Sequence, residues 1–186
     1  LFMEKRSLGC PPDYFSKTGQ KWGFAVLKPE TIFNKDGSLA RGGKLMQKRY
    51  EKLFESSPGG ARIDHIIGLI DPYVYTNNKK MTNELSGRLY SSPNHPLFGD
   101  YVRKTKEEYS EILEKIVFPT AAKFGLTKDD IICEDLGDPV ENVNEVMNRL
   151  NLTGIAVTAF DYRGAHQPKN KVIMLGSHDN ESFLKY

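Results

Sequence analysis

Three short acidic clusters carry the side chains most able to do chemistry: Arg62-Ile63-Asp64-His65, Glu134-Asp135-Leu136-Gly137 and His178-Asp179-Asn180. Each sits in or at the end of a short apolar run of the kind that forms a buried strand. A single Asp after a strand is ordinarily a helix N-cap, and a lone His178 is more often a satisfied polar group than a catalytic one. Acids at three matching positions, two beside a histidine and one beside an arginine, exceed what capping requires. In parallel α/β folds the loops at the carboxyl ends of the strands converge on one face, where such acids would meet. Two carboxylates in one cleft are the minimum for glycoside chemistry, one as nucleophile or base and the other as acid. Arg62 lies two residues before Asp64, so on a strand they share a face, and a guanidinium there favours the carboxylate form a nucleophile needs. Glu134, at the end of an apolar strand, is placed to have its pKa raised and to arrive protonated.

The elements that must position these groups alternate in type. Residues 8–29 are rich in Gly, Pro and aromatics and read as a long ordered loop, with Pro11-Pro12-Asp13 unable to be helix interior. A turn is expected at Asn34-Lys35-Asp36-Gly37, then a helix carrying Leu45, Met46, Tyr50, Leu53 and Phe54 at helical spacing. Residues 61–70 read as one buried strand, and residues 76–100 as a polar surface insertion. Val102, Tyr109, Ile112, Leu113, Ile116 and Val117 mark one helix face. Ile131-Ile132-Cys133 is a strand, Asp138 an N-cap with Pro139 at the first helical position, and Val140, Val143, Val146, Met147 and Leu150 a buried helix face. Strands follow at 155–160 and 172–175, and a helix begins at Asn180. Strand–helix alternation predicts βαβ units and a parallel sheet, the α/β class.

Hydrophobic residues at 39% and charged ones at 27% predict a globular chain rather than a disordered one. A net charge of +2 gives no electrostatic reason to expect nucleic acid or an anionic membrane as partner, and a neutral substrate fits better. No stretch approaches the roughly 20 apolar residues that span a bilayer, and the first residues form no signal-peptide apolar region. Cys10 and Cys133 lack metal-ligand spacing and read as free thiols of a reducing, cytoplasmic compartment. The start at Leu1 and the helical pattern opening at Tyr186 both read as cuts through a longer protein.

The three clusters, with Ser177 ahead of His178, resemble the sequential motifs of the 4-alpha-glucanotransferases of glycoside hydrolase family 77 (amylomaltases). Gly9-Cys10-Pro11-Pro12-Asp13-Tyr14-Phe15-Ser16, continuing through Thr18-Gly19-Gln20 and Lys21-Trp22-Gly23, resembles that family's active-site loop. Four motifs in the right order, covering about residues 9–180, carry the resemblance. It implies the middle portion of a partial (β/α)8 TIM barrel: residues 1–186 as a fragment of one catalytic domain, with residues 9–29 the active-site loop. It implies transfer of alpha-1,4-glucan segments between maltooligosaccharides, starch or glycogen by a retaining double displacement, with no cofactor and no metal. Asp64 matches the nucleophile, Glu134 the general acid/base and Asp179 the third carboxylate, which holds sugar hydroxyls. Arg62 and His178 match residues that position Asp64 and the donor sugar. Asp13, Tyr14 and Phe15 match loop residues that contact the glucan.

Some positions depart from the family pattern. Ile66-Ile67-Gly68 stands where Phe-Arg-Gly is usual, Phe24-Ala25-Val26-Leu27 follows Trp22-Gly23, and Ser177 replaces threonine. Trp22 is expected to serve packing, Asp135 to hydrogen-bond beside Glu134, and His65 to face away from Asp64 by strand alternation. Alternatives are an alpha-amylase-type hydrolase, a glucan-binding fragment without turnover, and a hydrolase holding a divalent cation with His65, His178, Asp64 and Asp179. Expressed alone, the 186 residues are expected to be inactive and to aggregate as an open half-barrel.

Overall fold

The computed structural model describes residues 1–13, 16–76, 87–89, 106–137, 140–157 and 170–177. The expected loop at its start contains a hairpin instead. β1 (Arg6–Cys10) and β2 (Gln20–Phe24) pair antiparallel, with the register shifting between Leu8 and Gly9. Four of the five β2 residues are exposed, so no apolar alternation announces that strand. Gly9 is required here by close approach. A Cβ on it would lie 1.9 Å from the Gln20 carbonyl oxygen and 2.5 Å from the Tyr75 ring. The turn at Asn34 to Gly37 forms as expected, with the Gly37 N–H donating to the Asn34 carbonyl at 2.9 Å.

α1 (Arg41–Ser56) follows and turns Phe54 into the core. The apolar run at 61–70, expected to be one strand, is divided. β3 (Ala61–Ile63) ends after three residues, His65 adopts φ +50°, and α2 (Ile67–Ile70) begins. A short apolar run cannot by itself distinguish a buried strand from a buried helical turn. β4 (Tyr73–Thr76) then returns to pair antiparallel with β1, and β5 (Gly87–Leu89) pairs with β4, giving the sheet order β2-β1-β4-β5. Within the expected 76–100 insertion only Thr76, the end of β4, and β5 are described; the rest of it lies outside the described residues.

A single helical column runs from α3 (Lys106–Ile112) through a π-helical segment (Leu113–Val117) into α4 (Phe118–Ala122). β6 (Ile131–Cys133) comes next, then α5 (Glu141–Arg149), β7 (Gly154–Val157) and β8 (Lys171–Met174). α5 starts two residues later than expected, with Val140 as a cap residue that makes no side-chain cap bond. Asp138 and Pro139 lie outside the described residues.

The parallel strands carry the positions of interest. β3 pairs parallel with β6, Ile63 opposite Cys133, and β7 pairs parallel with β8, Gly154 opposite Lys171. One parallel bridge, Ile132 to Thr153, joins the two pairs, and the Cys133 N–H donates to the Thr153 carbonyl at 2.8 Å. The strands therefore lie side by side in the order β3, β6, β7, β8, with α2 to α4 between β3 and β6 and α5 between β6 and β7. Ile66, Ile70, Ile116, Val117, Ile131 and Val146, none above 0% exposure, form the centre of the core beneath them. Each such side chain contributes about 1.5–3 kcal/mol by leaving water. Val26 and Val74 form a separate, much smaller cluster with Met3 and Leu8 under the antiparallel sheet.

Candidate active site

The ends of β3 and β6 bring Arg62, Asp64 and Glu134 to one cleft of about 460 Å³, lined also by Cys10, Asp13, Gln20 and Trp22 from the hairpin side and by Ser177 after β8. The Glu134 N–H donates to the Ile63 carbonyl at 2.8 Å, and the Ile66 N–H donates to the Glu134 carbonyl at 2.9 Å, locking the two strand ends together. Arg62 Nη1 donates to Asp64 Oδ1 at 2.5 Å, so the pair shares a face as the two-residue spacing predicts. Both side chains are open to solvent, 42% and 73% exposed, which screens their attraction and leaves the Asp64 carboxylate accessible.

Glu134 is held differently. Its Oε2 accepts the His65 N–H at 2.8 Å and its Oε1 accepts the Leu136 N–H at 2.8 Å. Burial pushes its pKa up, and the Asp64 charge adds to that; the two amides and the Arg62 guanidinium oppose it without cancelling it. One strand end thus presents an exposed carboxylate–guanidinium pair and its neighbour a sheltered, proton-retaining acid.

Asp13 begins a tight turn: its Oδ1 accepts the Ser16 N–H at 2.7 Å, and its own N–H donates to the Ser16 carbonyl. Tyr14, Phe15, His178 and Asp179 lie outside the described residues; Ser177, just before His178, lines the cleft.

Two sequence expectations are corrected and one, for Trp22, is extended. Strand alternation does not turn His65 away, because β3 ends at Ile63 and His65 takes a left-handed backbone. Its ring instead meets Trp22 edge-on at 4.6 Å beside the cleft. Trp22 packs and lines the cleft at once. Asp135 does not bond to Glu134 but reaches across the sheet, accepting the Ile155 N–H at 3.0 Å and pairing with Lys171. Gln20 and Trp22 fall within the expected active-site loop, but nothing in the sequence marks them as the residues that face the cleft, because an exposed hairpin strand carries no burial period pointing inward.

An exposed carboxylate beside a sheltered acid, on adjacent parallel strand ends, meets the chemical requirement of proteins that process glycosides with paired acids. The family model for 4-alpha-glucanotransferase matches residues 1–186. The chain belongs to that family, glycoside hydrolase family 77. It is 30% identical over 182 residues to the chloroplastic/amyloplastic 4-alpha-glucanotransferase of Solanum tuberosum, an alignment covering 94% of this chain and 26% of that one. Its fold is shared with the amylomaltase of Corynebacterium glutamicum at a TM-score of 0.67 and 19% identity, covering 97% of this chain and 23% of that one. The amylomaltase of Streptococcus agalactiae in complex with acarbose matches at 0.56 and 22% identity, covering 95% of this chain and 31% of that one. The chain thus spans about a quarter of the length of the potato relative.

Proposed function

We infer that the chain contributes the acid-bearing part of a 4-alpha-glucanotransferase active site, in which Asp64 is the nucleophile and Glu134 the general acid/base. The observation that carries this reading is the unequal treatment of two neighbouring carboxylates. Asp64 is solvent-accessible and paired with Arg62, whereas Glu134 is sheltered and retains its proton to higher pH. Retaining transfer needs that inequality. Glu134 protonates the departing glycosidic oxygen while Asp64 attacks the anomeric carbon; then Glu134, now a base, takes the proton of the incoming sugar hydroxyl. An incoming sugar gives transfer and water gives hydrolysis, since the covalent intermediate is common to both. Asp179, and His178 beside it, are assigned the third carboxylate and donor positioning by motif match. Asp13, Tyr14 and Phe15 are assigned to glucan contact in the same way.

The side-by-side order β3, β6, β7, β8 supports reading these strands as consecutive staves of a (β/α)8 barrel, with a maltooligosaccharide, starch or glycogen lying over their carboxyl ends. Among the described residues no helix is long and apolar enough to cross a membrane. Buried free thiols at Cys10 and Cys133 favour a reducing compartment, which we assign as the cytoplasm; cell fractionation would instead find a plastid if the potato relative's location applied.

Disproportionation of maltotriose, followed by glucose release, tests the function. In the enzyme carrying this chain, Asp64→Asn abolishes the covalent intermediate. Glu134→Gln binds glucan but turns over at least about 100-fold more slowly. Near-normal transfer by Asp64→Asn removes the nucleophile assignment. A complex with acarbose should place the two carboxyl groups about 5–5.5 Å apart; a spacing of roughly 6.5–9.5 Å would mean inversion.

A further inference from the structure

We propose that His65 is a positioning residue for the acid/base. Its left-handed backbone aims its amide at Glu134 Oε2, and its ring is the strut that ties the Trp22 hairpin to that acid. This rests on the function proposed above, and three observations carry it. First, His65 has φ +50°, a conformation that non-glycine residues rarely adopt and that a tight structural context must enforce. Second, what that conformation achieves is the 2.8 Å hydrogen bond from its N–H to the Glu134 carboxylate, across 69 residues of sequence. Third, the imidazole meets the Trp22 ring edge-on, with centroids 4.6 Å apart and planes at 79°, and it reaches the Gly9 backbone. Its Nε2 is buried without a hydrogen-bond partner among the described residues, so the ring is held there by contact rather than by a saturated polar network.

The backbone and ring therefore have separable tasks. The amide sets the orientation of Glu134 and favours its charged form. The ring fixes Trp22, and with it the hairpin wall of the cleft. Among the described residues, the charged groups near this residue are Arg62 and Asp64 from its own strand end, Asp13 from the hairpin side, and Glu134 from the end of β6.

Two substitutions separate these tasks. His65→Asn removes the ring but tolerates the left-handed backbone, so the amide stays on Glu134. His65→Val carries a β-branched side chain that resists positive φ and turns the amide away. The titration of the Glu134 carboxyl is read by carbon NMR, assigned with Glu134→Gln. Hairpin placement is read from the fluorescence of Trp22, the only tryptophan of the chain. The expected result is that His65→Val moves the Glu134 titration to higher pH while His65→Asn leaves it in place. His65→Asn should red-shift Trp22 emission and, in the enzyme carrying this chain, raise the KM for maltotriose several-fold with little change in kcat. Equal Glu134 titrations in the wild type and His65→Val overturn the amide's role, and unchanged Trp22 emission in His65→Asn overturns the ring's. Should His65→Val fail to fold, His65→Asn alone decides: a displaced Glu134 titration there refutes the separation of backbone and ring. Neither spectroscopic reading requires turnover. If both behave as expected while the enzyme carrying this chain transfers no glucosyl units, the positioning stands and the glucanotransferase reading fails.

Discussion

Burial lowers the His65 pKa to about 4, so the imidazole is neutral wherever the enzyme would work; the Asp64 charge, the Gly9 backbone and the Asp13 charge oppose that shift without overcoming it. The consequence for stability has a definite sign. The unfolded histidine titrates near 6.5, so between there and about 4 the unfolded chain binds more protons than the folded one. His65 thus contributes stability that is present above about pH 6.5 and is lost as the pH falls toward 4. Glu134 acts in the opposite direction: its raised pKa contributes stability in acid that is lost as the pH rises through its folded value. Urea midpoints at pH 7 and pH 5 are expected to differ less in His65→Asn than in the parent, and more in Glu134→Gln than in the parent. For activity, the raised Glu134 pKa predicts that the alkaline limb of kcat/KM lies above the ordinary glutamate range. Residue spacing made Arg62, Asp64 and Glu134 legible, because two residues on a strand share a face and acids collect at strand ends. The His65 backbone was not legible. A positive φ at a non-glycine leaves no mark in composition, and alternation carried to His65 runs two residues past the true end of β3.

Among the elements, β6, β7 and β8 are stitched together by one side chain. Asp135, 6% exposed, accepts from the β7 backbone and pairs with Lys171 of β8, itself 19% exposed. Gly154 makes room for them: a Cβ there would lie 2.5 Å from Lys171 Nζ and 2.6 Å from both Asp135 oxygens. Removing one partner of a buried pair leaves an uncompensated charge, costing about 3–5 kcal/mol. Lys171→Met should therefore unfold at markedly lower urea with an unchanged slope. Adding Asp135→Asn, which still accepts from Ile155, should recover most of the loss. Additive losses in that double variant would show that the pair is not coupled. Helices α1 and α5 were readable because one face of each must be apolar. β2 was not, since four of its five residues are exposed and show no period of two, and β1 and β4 are runs of five and four residues too short to announce themselves.

Over the whole molecule, apolar burial is uneven. The main core draws on α1, α2, the α3–α4 column, α5 and the strands β3 and β6, whereas the antiparallel sheet covers only the small cluster around Val26 and Val74. Local opening free energy follows such burial. Native-state hydrogen exchange should find amides of β1, β2 and β4 opening together at lower free energy than Ile131, Val146 and Ile116. A single common opening energy would contradict this. The parallel α/β class was legible as a whole because it needs only the alternation of element types. The sheet that walls one side of the cleft was not, because its pairings join residues as far apart as Arg6 and Thr76.

The π-helical segment sets the winding of its column. From Ile112 the enclosed positions come in adjacent pairs four residues apart: Ile112 and Leu113, Ile116 and Val117, Thr120 and Ala121. An α-helix advances about 100° per residue, so a repeat of four overshoots one turn by about 40° and would swing the later pairs out of the core. The wider coil at Leu113–Val117 absorbs that overshoot. The chain therefore holds one residue more than an ordinary helix needs over the same span. Excising Lys115, whose ammonium pairs with Glu111 and lies over the Phe33 ring, should let the column rewind as plain α-helix with its apolar stripe intact. The same excision at Asn144 in α5, where no slack is stored, should dephase Val146 and Met147 and unfold the protein.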